Sequence, residues 1–310
     1  MNQQTKKFDA STSLSTNPER SRRVDTITVI SFLLALAVDA FVWFQVAFGK
    51  SHDEPRMYFL DVGQGDSELA VLPGGVKILT DAGPDKSVLR ELEKNPAMNN
   101  RYIDIAVISH PQLDHFNGFQ YIADKYRIGA LIFNGRSNDP GVKEWDALVQ
   151  KIKDRGIPFI TLAGGDAIRY ENSRVDFLSP SSDFIRSGEL NDTGLVELLK
   201  SRGLRVLLTA DIGSNIEHYL LGAGQESVSA DILKVGHHGS RFSSSDEFLK
   251  AVNPKIAIIE VGANNRYGHP TKETLARLAS STSAKVFRTD LNGAVAAIVE
   301  NGKLKVFTEK

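Results

Sequence analysis

The chain has 310 residues, no cysteine and a formal net charge of −1, with 41% hydrophobic and 24% charged residues. This size and composition suit one globular domain with appendages, whose core needs no disulfides. A thiol nucleophile, a cysteine-based zinc site and a disulfide framework are excluded. The near-neutral charge does not indicate nucleic-acid binding through bulk positive charge, because phosphate neutralisation needs clustered Lys and Arg.

The N-terminal part of the chain divides into a polar segment and an apolar one. Residues 1–25 are polar and nearly free of large apolar side chains, which predicts a disordered tail. Residues 26–49 are apolar, and a helix rising about 1.5 Å per residue could there span a bilayer core of roughly 30 Å. Asp39 opposes insertion, but 13 Ile, Leu, Val and Phe residues outweigh it. We therefore predict a transmembrane helix, with a buried helix or a cleaved signal peptide as alternatives.

The charges around this apolar run predict its orientation. Five Lys or Arg residues precede it, and the positive-inside rule places them in the cytoplasm. The predicted protein is thus a single-pass protein of the cell membrane with an extracytoplasmic domain. Its predicted parts are a cytoplasmic tail (1–25), a transmembrane helix (26–49), a linker (50–56) and a globular domain (57–310).

From residue 57 onward, short apolar runs alternate with Gly, Pro and Asp, a pattern typical of strands and turns. The predicted strands are 57–62, 67–73, 76–83, 103–110, 174–180, 205–211, 230–238, 255–262, 285–290 and 294–307. The predicted helices are 143–155 and segments near 191–202, 214–223, 245–252 and 271–280. Strands and helices mixed in this order predict a layered α/β (α+β) domain.

Residues with metal-ligand chemistry recur at the ends of these predicted strands, namely Asp81, His110, Asp211 and the pair His237–His238. Each could be a turn or capping residue alone, but such loops are also where scaffolds present functional groups. The most informative segment runs from His110 through Asp114 and His115 to residue 118. Imidazole and carboxylate groups in one tight turn can converge on one or two divalent ions.

Residues 110–115 are similar to the H-x-H-x-D-H motif of the metallo-β-lactamase superfamily. The surrounding segments resemble the hydrolase domain of ComEC/Rec2 competence proteins, in the same order across roughly residues 57–300. These segments are FLDVGQGD (59–66), ILTDAG (78–83), SHPQLDHFNG (109–118), LLTADIG (207–213), ADILKVGHHGS (230–240), NPKIAIIEVG (253–262), NNRYGHP (264–270) and RTDLNGAV (288–295).

The resemblance implies a four-layer αββα sandwich with a metal site along one edge, and it implies roles for individual residues. His110 would belong to a first metal site, Asp114 and His115 to a second, and Asp211 would bridge the two. His237, in preference to His238, would complete the second site. Asp81 would orient a metal-bound histidine. The implied catalytic groups are Asp114, Lys234, His238 and His269, the last three by phosphate contact or proton transfer. Gln64 and Asp66 would form a loop beside the cleft, either structural or in contact with substrate.

The chain also departs from the family pattern. Gln112 stands where the superfamily has His, and Asn191 stands near the place of a third His. Both would lie beside the metal ligands, and neutral Gln is a weak ligand, so the first site would be weak or filled only with substrate present. The second site remains a plausible set for Zn²⁺ or Mn²⁺, with one or two ions per chain.

The resemblance implies hydrolysis of a phosphodiester in nucleic acid, as in DNA uptake. One alternative is metal-dependent hydrolysis of an ester, thioester or amide. Another is a non-catalytic binding module with a degenerate metal site, which Gln112 favours. The expected partners are nucleic acid as substrate, the membrane through residues 26–49, and a separate membrane channel, since no multi-helix channel is encoded here. The oligomeric state stays open.

Overall fold

The computed structural model of the chain describes residues 26–48, 54–137, 142–222, 228–300 and 302–310. The predicted tail 1–25 and residues 50–53 of the predicted linker lie outside the described residues. The chain divides into two units, Met1–Lys50 and Ser51–Lys310. The first contains helix α1 (Thr26–Phe48). In the part of the chain that the structure describes, no helix is long and apolar enough to cross a membrane, so the predicted transmembrane helix is not supported.

The second unit contains fifteen strands among its described residues. They are β1 (Arg56–Phe59), β2 (Glu68–Val71), β3 (Lys77–Thr80), β4 (Tyr102–Ile108), β5 (Arg127–Phe133), β6 (Phe159–Thr161), β7 (Ala167–Tyr170), β8 (Ser173–Ser179), β9 (Val196–Ser201), β10 (Leu204–Leu208), β11 (Ile232–Lys234), β12 (Ile256–Ile259), β13 (Lys285–Arg288), β14 (Val295–Glu300) and β15 (Lys303–Thr308).

The α-helices of this unit are mostly short. They are α2 (Ser87–Lys94), α3 (Leu113–Phe116), α4 (Phe119–Lys125), α5 (Lys143–Asp154), α6 (Ser214–Gly222), α7 (Asp246–Val252), α8 (Lys272–Ser281) and α9 (Thr289–Asn292). The predicted helices at 143–155, 214–223, 245–252 and 271–280 are confirmed. Two of them begin at hydroxyl caps, because Ser245 accepts from the Phe248 amide and Thr271 from the Thr274 amide.

The strands form two sheets. One has the order β15-β14-β1-β2-β3-β4-β5-β6, and the other has the order β13-β12-β11-β10-β9-β8-β7. Strands β3 to β6 pair in parallel, as do β10 to β13, whereas the remaining pairs are antiparallel. Each sheet therefore contains both parallel and antiparallel strand pairs.

Three apolar clusters give the domain its layers. The middle cluster joins the facing sides of the two sheets, for example Phe59 and Val107 with Val206 and Ile258. A second cluster packs α2 to α5 on the outer face of the eight-stranded sheet. A third packs α6, α7 and α8 on the outer face of the seven-stranded sheet. The result is the αββα sandwich that the resemblance implies.

The predicted helix near 191–202 is wrong. Residues 196–201 form β9, which pairs antiparallel with both β8 and β10. The segment Val-Glu-Leu-Leu-Lys-Ser has the residues of a helix, but pairing on both sides overrides this local propensity. Strands β5, β6 and β7 were not predicted, and β14 and β15, which form an antiparallel hairpin, were predicted as one strand.

Candidate metal centre

The parallel strands of both sheets bring their carboxyl ends to one cleft. Asp81 directly follows β3, and His110 follows β4 after one residue. In the other sheet, Asp211 follows β10 after two residues, and the pair His237–His238 follows β11. These residues approach one another in space, as their recurrence at strand ends predicts.

The backbone is strained at several of these positions. Asp81, Ala210, His237 and His238 have φ angles of 52°, 45°, 48° and 53°, in the left-handed region that non-glycine residues seldom adopt. Two consecutive left-handed residues turn both histidines toward Asp211, whose Oδ2 lies 3.6 Å from Nε2 of His237 and 3.5 Å from Nε2 of His238. Such strain persists only where the surrounding structure imposes it, and it is common at functional sites.

The buried carboxylate of Asp81 orients the loop of residues 109–115, which carries the predicted metal ligands. It accepts hydrogen bonds from the Ser109 amide (2.8 Å) and the Ser109 hydroxyl (2.6 Å), and its Oδ2 lies 2.7 Å from Nδ1 of His115. With Nδ1 donating to this carboxylate, His115 presents Nε2 to the cleft. This contact is the one expected of a carboxylate that supports a metal-binding histidine.

His238 is oriented in a similar way by the backbone. Its Nδ1 lies 2.8 Å from the Glu260 carbonyl oxygen, which can only accept, and 3.2 Å from Asp66 Oδ1. When the ring is neutral, its proton therefore resides on Nδ1 and the lone pair of Nε2 faces the cleft. Both buried histidines thus offer Nε2 as a ligand atom.

Four of these side chains form one compact cluster. Asp114, His115, Asp211 and His238 each offer an atom, and these atoms lie within 4.8 Å of one another. Nε2 of His115 and Nε2 of His238 are each 3.5 Å from Asp211 Oδ2, and His238 Nε2 is also 3.5 Å from Asp114 Oδ2. A tetrahedral ion with ligand bonds of about 2.0–2.1 Å has ligands about 3.4 Å apart, close to these distances.

The hydrogen-bonding state of the cluster agrees with a metal site. Among the described residues, Nε2 of His115, Nε2 of His238 and Oδ1 of Asp211 are buried and have no hydrogen-bond partner. Unsatisfied buried polar atoms are costly and rare in native proteins. A divalent cation would satisfy the nitrogen atoms, and its donor set of imidazole and carboxylate suits Zn²⁺ or Mn²⁺. The residues present therefore fit the metal that the fold implies.

The charges within the cluster are strongly coupled. Burial alone would lower the pKa of both histidines, but the neighbouring Asp211 carboxylate raises it, to about 10 for His238 and well above the ordinary value for His115. Despite burial, the two imidazoles hold the pKa of Asp211 well below its usual range. Burial likewise opposes ionisation of Asp114, yet the neighbouring His238 imidazole lowers its pKa to about 2. Metal ions must compete here with tightly held protons, so metal affinity should fall in acid.

The structure differs from the predicted preference for His237 over His238. His238 is buried and belongs to the four-residue cluster, whereas the His237 side chain is 31% exposed. Nδ1 of His237 lies 3.4 Å from Nδ2 of Asn191, which places both residues on the cleft wall. Which histidine of such a pair faces the ligands depends on backbone torsions that the sequence alone does not reveal.

The residues assigned to a first metal site are less tightly gathered. His110 is fully buried, with its ring 4.2 Å from that of His115 and its Nδ1 3.0 Å from the Ser109 hydroxyl. It lies outside the four-residue cluster. Nε2 of His110 and Oδ1 of Asn191 are both buried without a partner among the residues described. Gln112 and Asn191 both line the cavity, and their predicted place beside the metal ligands stays a prediction.

Lys234 and Asp66, which were predicted to lie near substrate, do not line the cavity. Both side chains are fully buried, and the Lys234 ammonium pairs with the Asp66 carboxylate and donates to the Ala210 carbonyl at 2.9 Å. The same nitrogen lies 3.7 Å from Asp211 Oδ1. Strand β11 is in the interior of its sheet and its three residues are buried, which favours a structural role for Lys234.

Two further buried acids, which were not predicted as site residues, lie next to this ion pair. Glu68 and Glu260 cluster with Asp66 around Lys234. Burial raises the pKa of Glu260 to about 8 and that of Glu68 well above its ordinary value. The available signal was an acid inside an otherwise apolar strand, since Glu and Asp are rarely buried without a partner.

A cavity of about 450 Å³ opens over the metal cluster. Its walls contain Gln64, Gln112, Leu113, Asp114, Val142, Leu190, Asn191, Asp211, His237, His238, Tyr267 and His269. The predicted residues Gln64 and His269 thus lie at the cavity. Gln64 is held in place because its Oε1 accepts from the Gly262 amide at 3.1 Å.

The two adjacent histidines can be distinguished by mutation. We expect His238→Ala to lower the metal content of the purified protein by more than about tenfold, because it removes one of four clustered ligand atoms. His237→Ala should have a much smaller effect, since His237 is outside that cluster. Metal per chain after dialysis, measured by inductively coupled plasma mass spectrometry, checks this. Equal losses would show that both imidazoles are ligands.

The comparisons with known proteins agree with this geometry. Residues 60–262 match the family model of the metallo-beta-lactamase superfamily. Because this match covers more than half of the chain, the chain belongs to that superfamily, which is a superfamily of hydrolases.

Two curated relatives are competence proteins. ComE operon protein 3 of Bacillus subtilis (strain 168) is 28% identical over 260 residues, covering 78% of this chain and 33% of that protein. Competence protein ComA of Neisseria gonorrhoeae is 29% identical over 258 residues, covering 82% of this chain and 33% of that protein. The resemblance to this branch is confirmed, and the chain spans about one third of the length of these relatives.

Among solved structures, CmlA, a diiron beta-hydroxylase from Streptomyces venezuelae, has a TM-score of 0.51 and 13% identity. The match covers 80% of this chain and 54% of that chain. At this identity the likeness shows a shared fold.

Proposed function

We propose that the chain is a metal-dependent phosphodiesterase that cleaves nucleic acid. The observation that carries the proposal is the cluster of Asp114, His115, Asp211 and His238, with its unsatisfied buried atoms, at the base of an open cavity. Such a cluster is the arrangement that metal-assisted hydrolysis requires. The choice of nucleic acid is supported by the relation to competence proteins, which is an argument from analogy.

The chemistry divides between the metal and the surrounding side chains. Asp114, His115, Asp211 and His238 would hold a zinc or manganese ion, which when bound supplies Lewis acidity that activates water and offsets charge on phosphoryl oxygens. The carboxylates of Asp114 and Asp211 would balance the charge of that ion.

The other polar groups at the cavity suit an anionic substrate. Among the described lining residues, Asp114 and Asp211 are the only acids, and both belong to the cluster. Gln64, Gln112 and Asn191 are neutral and carry amide N–H groups that can donate to phosphate oxygens. Burial, with the nearby His237, lowers the pKa of His269 to about 4, so its neutral ring can also donate.

Asp114 is suited to positioning the attacking water. Its side chain is 30% exposed and lies at the cavity, and its low pKa keeps it ionised at neutral pH. An ionised Oδ atom can accept a hydrogen bond from water and so align the oxygen toward phosphorus.

The test is an activity and metal assay on the full chain purified in detergent. The chain is treated with EDTA, reloaded with Mn²⁺ or Zn²⁺, and offered a labelled single-stranded oligonucleotide and p-nitrophenyl acetate. Metal-dependent cleavage of the oligonucleotide is expected. Cleavage of the ester alone would support a hydrolase of another bond, and failure to retain any metal would support a binding module.

We also propose that the chain is anchored at the cell membrane through residues 26–49, with the catalytic domain outside the cytoplasm. Helix α1 has 23 residues, and eleven of its large apolar side chains are exposed, from Ile27 at 76% to Val29 at 44%. Such a surface is stabilised by lipid or by a protein partner, for instance a separate membrane channel. Protease added to spheroplasts should digest the domain beyond residue 50, and full protection would refute this orientation.

A further inference from the structure

We propose that Tyr267 is a base-stacking residue at the rim of the cavity and that it favours phosphodiesters carrying a nucleobase. This rests on the proposed phosphodiesterase function. Tyr267 lies at the same cavity as the metal cluster, and its side chain is 53% exposed. Its ring stacks against that of His269, with the centroids 5.9 Å apart and the planes inclined by 26°. An aromatic ring is thus presented beside the place where the scissile phosphate would bind.

The loop that carries Tyr267 is built to hold it in place. The Asn265 side chain donates to the carbonyl oxygens of Gly262 (3.0 Å) and His269 (2.7 Å). Its Oδ1 accepts from the amides of Tyr267 (3.2 Å) and His269 (3.0 Å). Four hydrogen bonds from one side chain fix the loop in advance of binding. A ring ordered in this way loses little conformational entropy when a ligand stacks on it.

The packing of the domain does not explain the position of Tyr267. Within the described chain, the residue belongs to none of the three buried apolar clusters. Its ring is instead in contact with a cation, since the Arg266 guanidinium lies over it, 5.0 Å from the ring centroid, and donates to the Tyr267 hydroxyl at 2.9 Å. An aromatic face with an adjacent cation is the combination that binds a base together with its backbone phosphate.

A second aromatic–arginine pair lies on the neighbouring loop. Arg241 lies 4.8 Å from the ring centroid of Phe242, which is 65% exposed. The two loops are joined, because the Thr271 amide donates to the Gly239 carbonyl at 2.9 Å.

Stacking is indifferent to base identity, since every base has an aromatic face, so Tyr267 would select nucleotides as a class and no particular sequence.

Two substrates with the same leaving group test the role of the nucleoside, and the ring variants of Tyr267 test whether stacking is the cause. The p-nitrophenyl ester of thymidine 5′-phosphate carries a base, and methyl p-nitrophenyl phosphate does not. We expect Tyr267→Ala to reduce the ratio of their kcat/KM values by about tenfold or more, mainly through KM for the thymidine ester. Tyr267→Phe keeps the ring and should keep the ratio. Tyr267→Leu keeps bulk without an aromatic face and should lower it.

The controls separate this inference from the proposed function. Tyr121→Ala removes an exposed tyrosine that does not line the cavity, and it should leave both rates unchanged. Metal content and melting temperature should be the same in all variants. If the wild type cleaves neither ester, the proposed function fails and this inference fails with it. If it cleaves both and Tyr267→Ala leaves their ratio unchanged, Tyr267 does not bind the base and the proposed function stands.

Discussion

Asp211→Asn is expected to reduce metal affinity by more than tenfold and to abolish metal-dependent hydrolysis. Oδ2 of Asp211 lies within 3.5–3.6 Å of Nε2 of His115, His237 and His238, so this one oxygen contacts all three imidazoles. Its pKa is held well below the usual range, and the group is ionised at any assay pH near neutrality. Asn keeps the size of the side chain but removes the negative charge that offsets a divalent cation.

Metal per chain and turnover should be measured together with circular dichroism. The matched control is Asp124→Asn, which removes an exposed carboxylate paired with Lys151 and Arg155 and should change neither metal content nor turnover. Because Asn fits the same space, the spectrum of Asp211→Asn should stay near that of the wild type. Full metal content and turnover in this variant would falsify the central role of Asp211.

The sequence predicts much of this site because the chemistry lies at strand ends. Asp81, His110 and Asp211 each follow an apolar run within two residues, and the structure brings them to one cleft. Short apolar strands followed by ligand residues are local patterns that can be recognised in the sequence. The αββα arrangement of the layers was predicted from the order of the family segments. Boundaries of the capped helices α7 and α8 are predictable for the same reason, since Ser245 and Thr271 are local signals.

The errors arise where distant residues decide the outcome. Residues 196–201 become a strand because β8 and β10 flank them, although Glu, Leu and Lys favour a helix. The choice of His238 over His237 depends on two left-handed residues and on the Glu260 carbonyl, which lies on another strand end. The position of Tyr267 at the cavity could not be predicted, because its loop is organised by one side chain, Asn265, and has no periodic pattern.

Lys234→Met is expected to destabilise the protein by about 3–5 kcal/mol, the cost of removing one partner from a buried ion pair. The Lys234 ammonium is fully buried against Asp66 and close to Asp211, and it also interacts electrostatically with the acids Glu68 and Glu260. These carboxylates together raise its pKa despite burial. Without it, Asp66 would stay buried without its cationic partner. Urea unfolding of the metal-free protein measures the loss directly.

The same variant decides between a structural and a substrate-contacting role for this lysine. If Lys234 contacted phosphate, its substitution would lower kcat/KM and leave the free energy of unfolding nearly unchanged. If Lys234 is a buried structural cation, its substitution should instead lower the free energy of unfolding. Adding Asp66→Asn to Lys234→Met should recover part of this loss, because the second substitution removes the unpaired negative charge. Lys255→Met is the matched control, since it breaks an exposed pair with Asp231 and should cost at most about 1 kcal/mol. Unchanged stability of Lys234→Met with reduced turnover would restore the substrate contact that the sequence predicted.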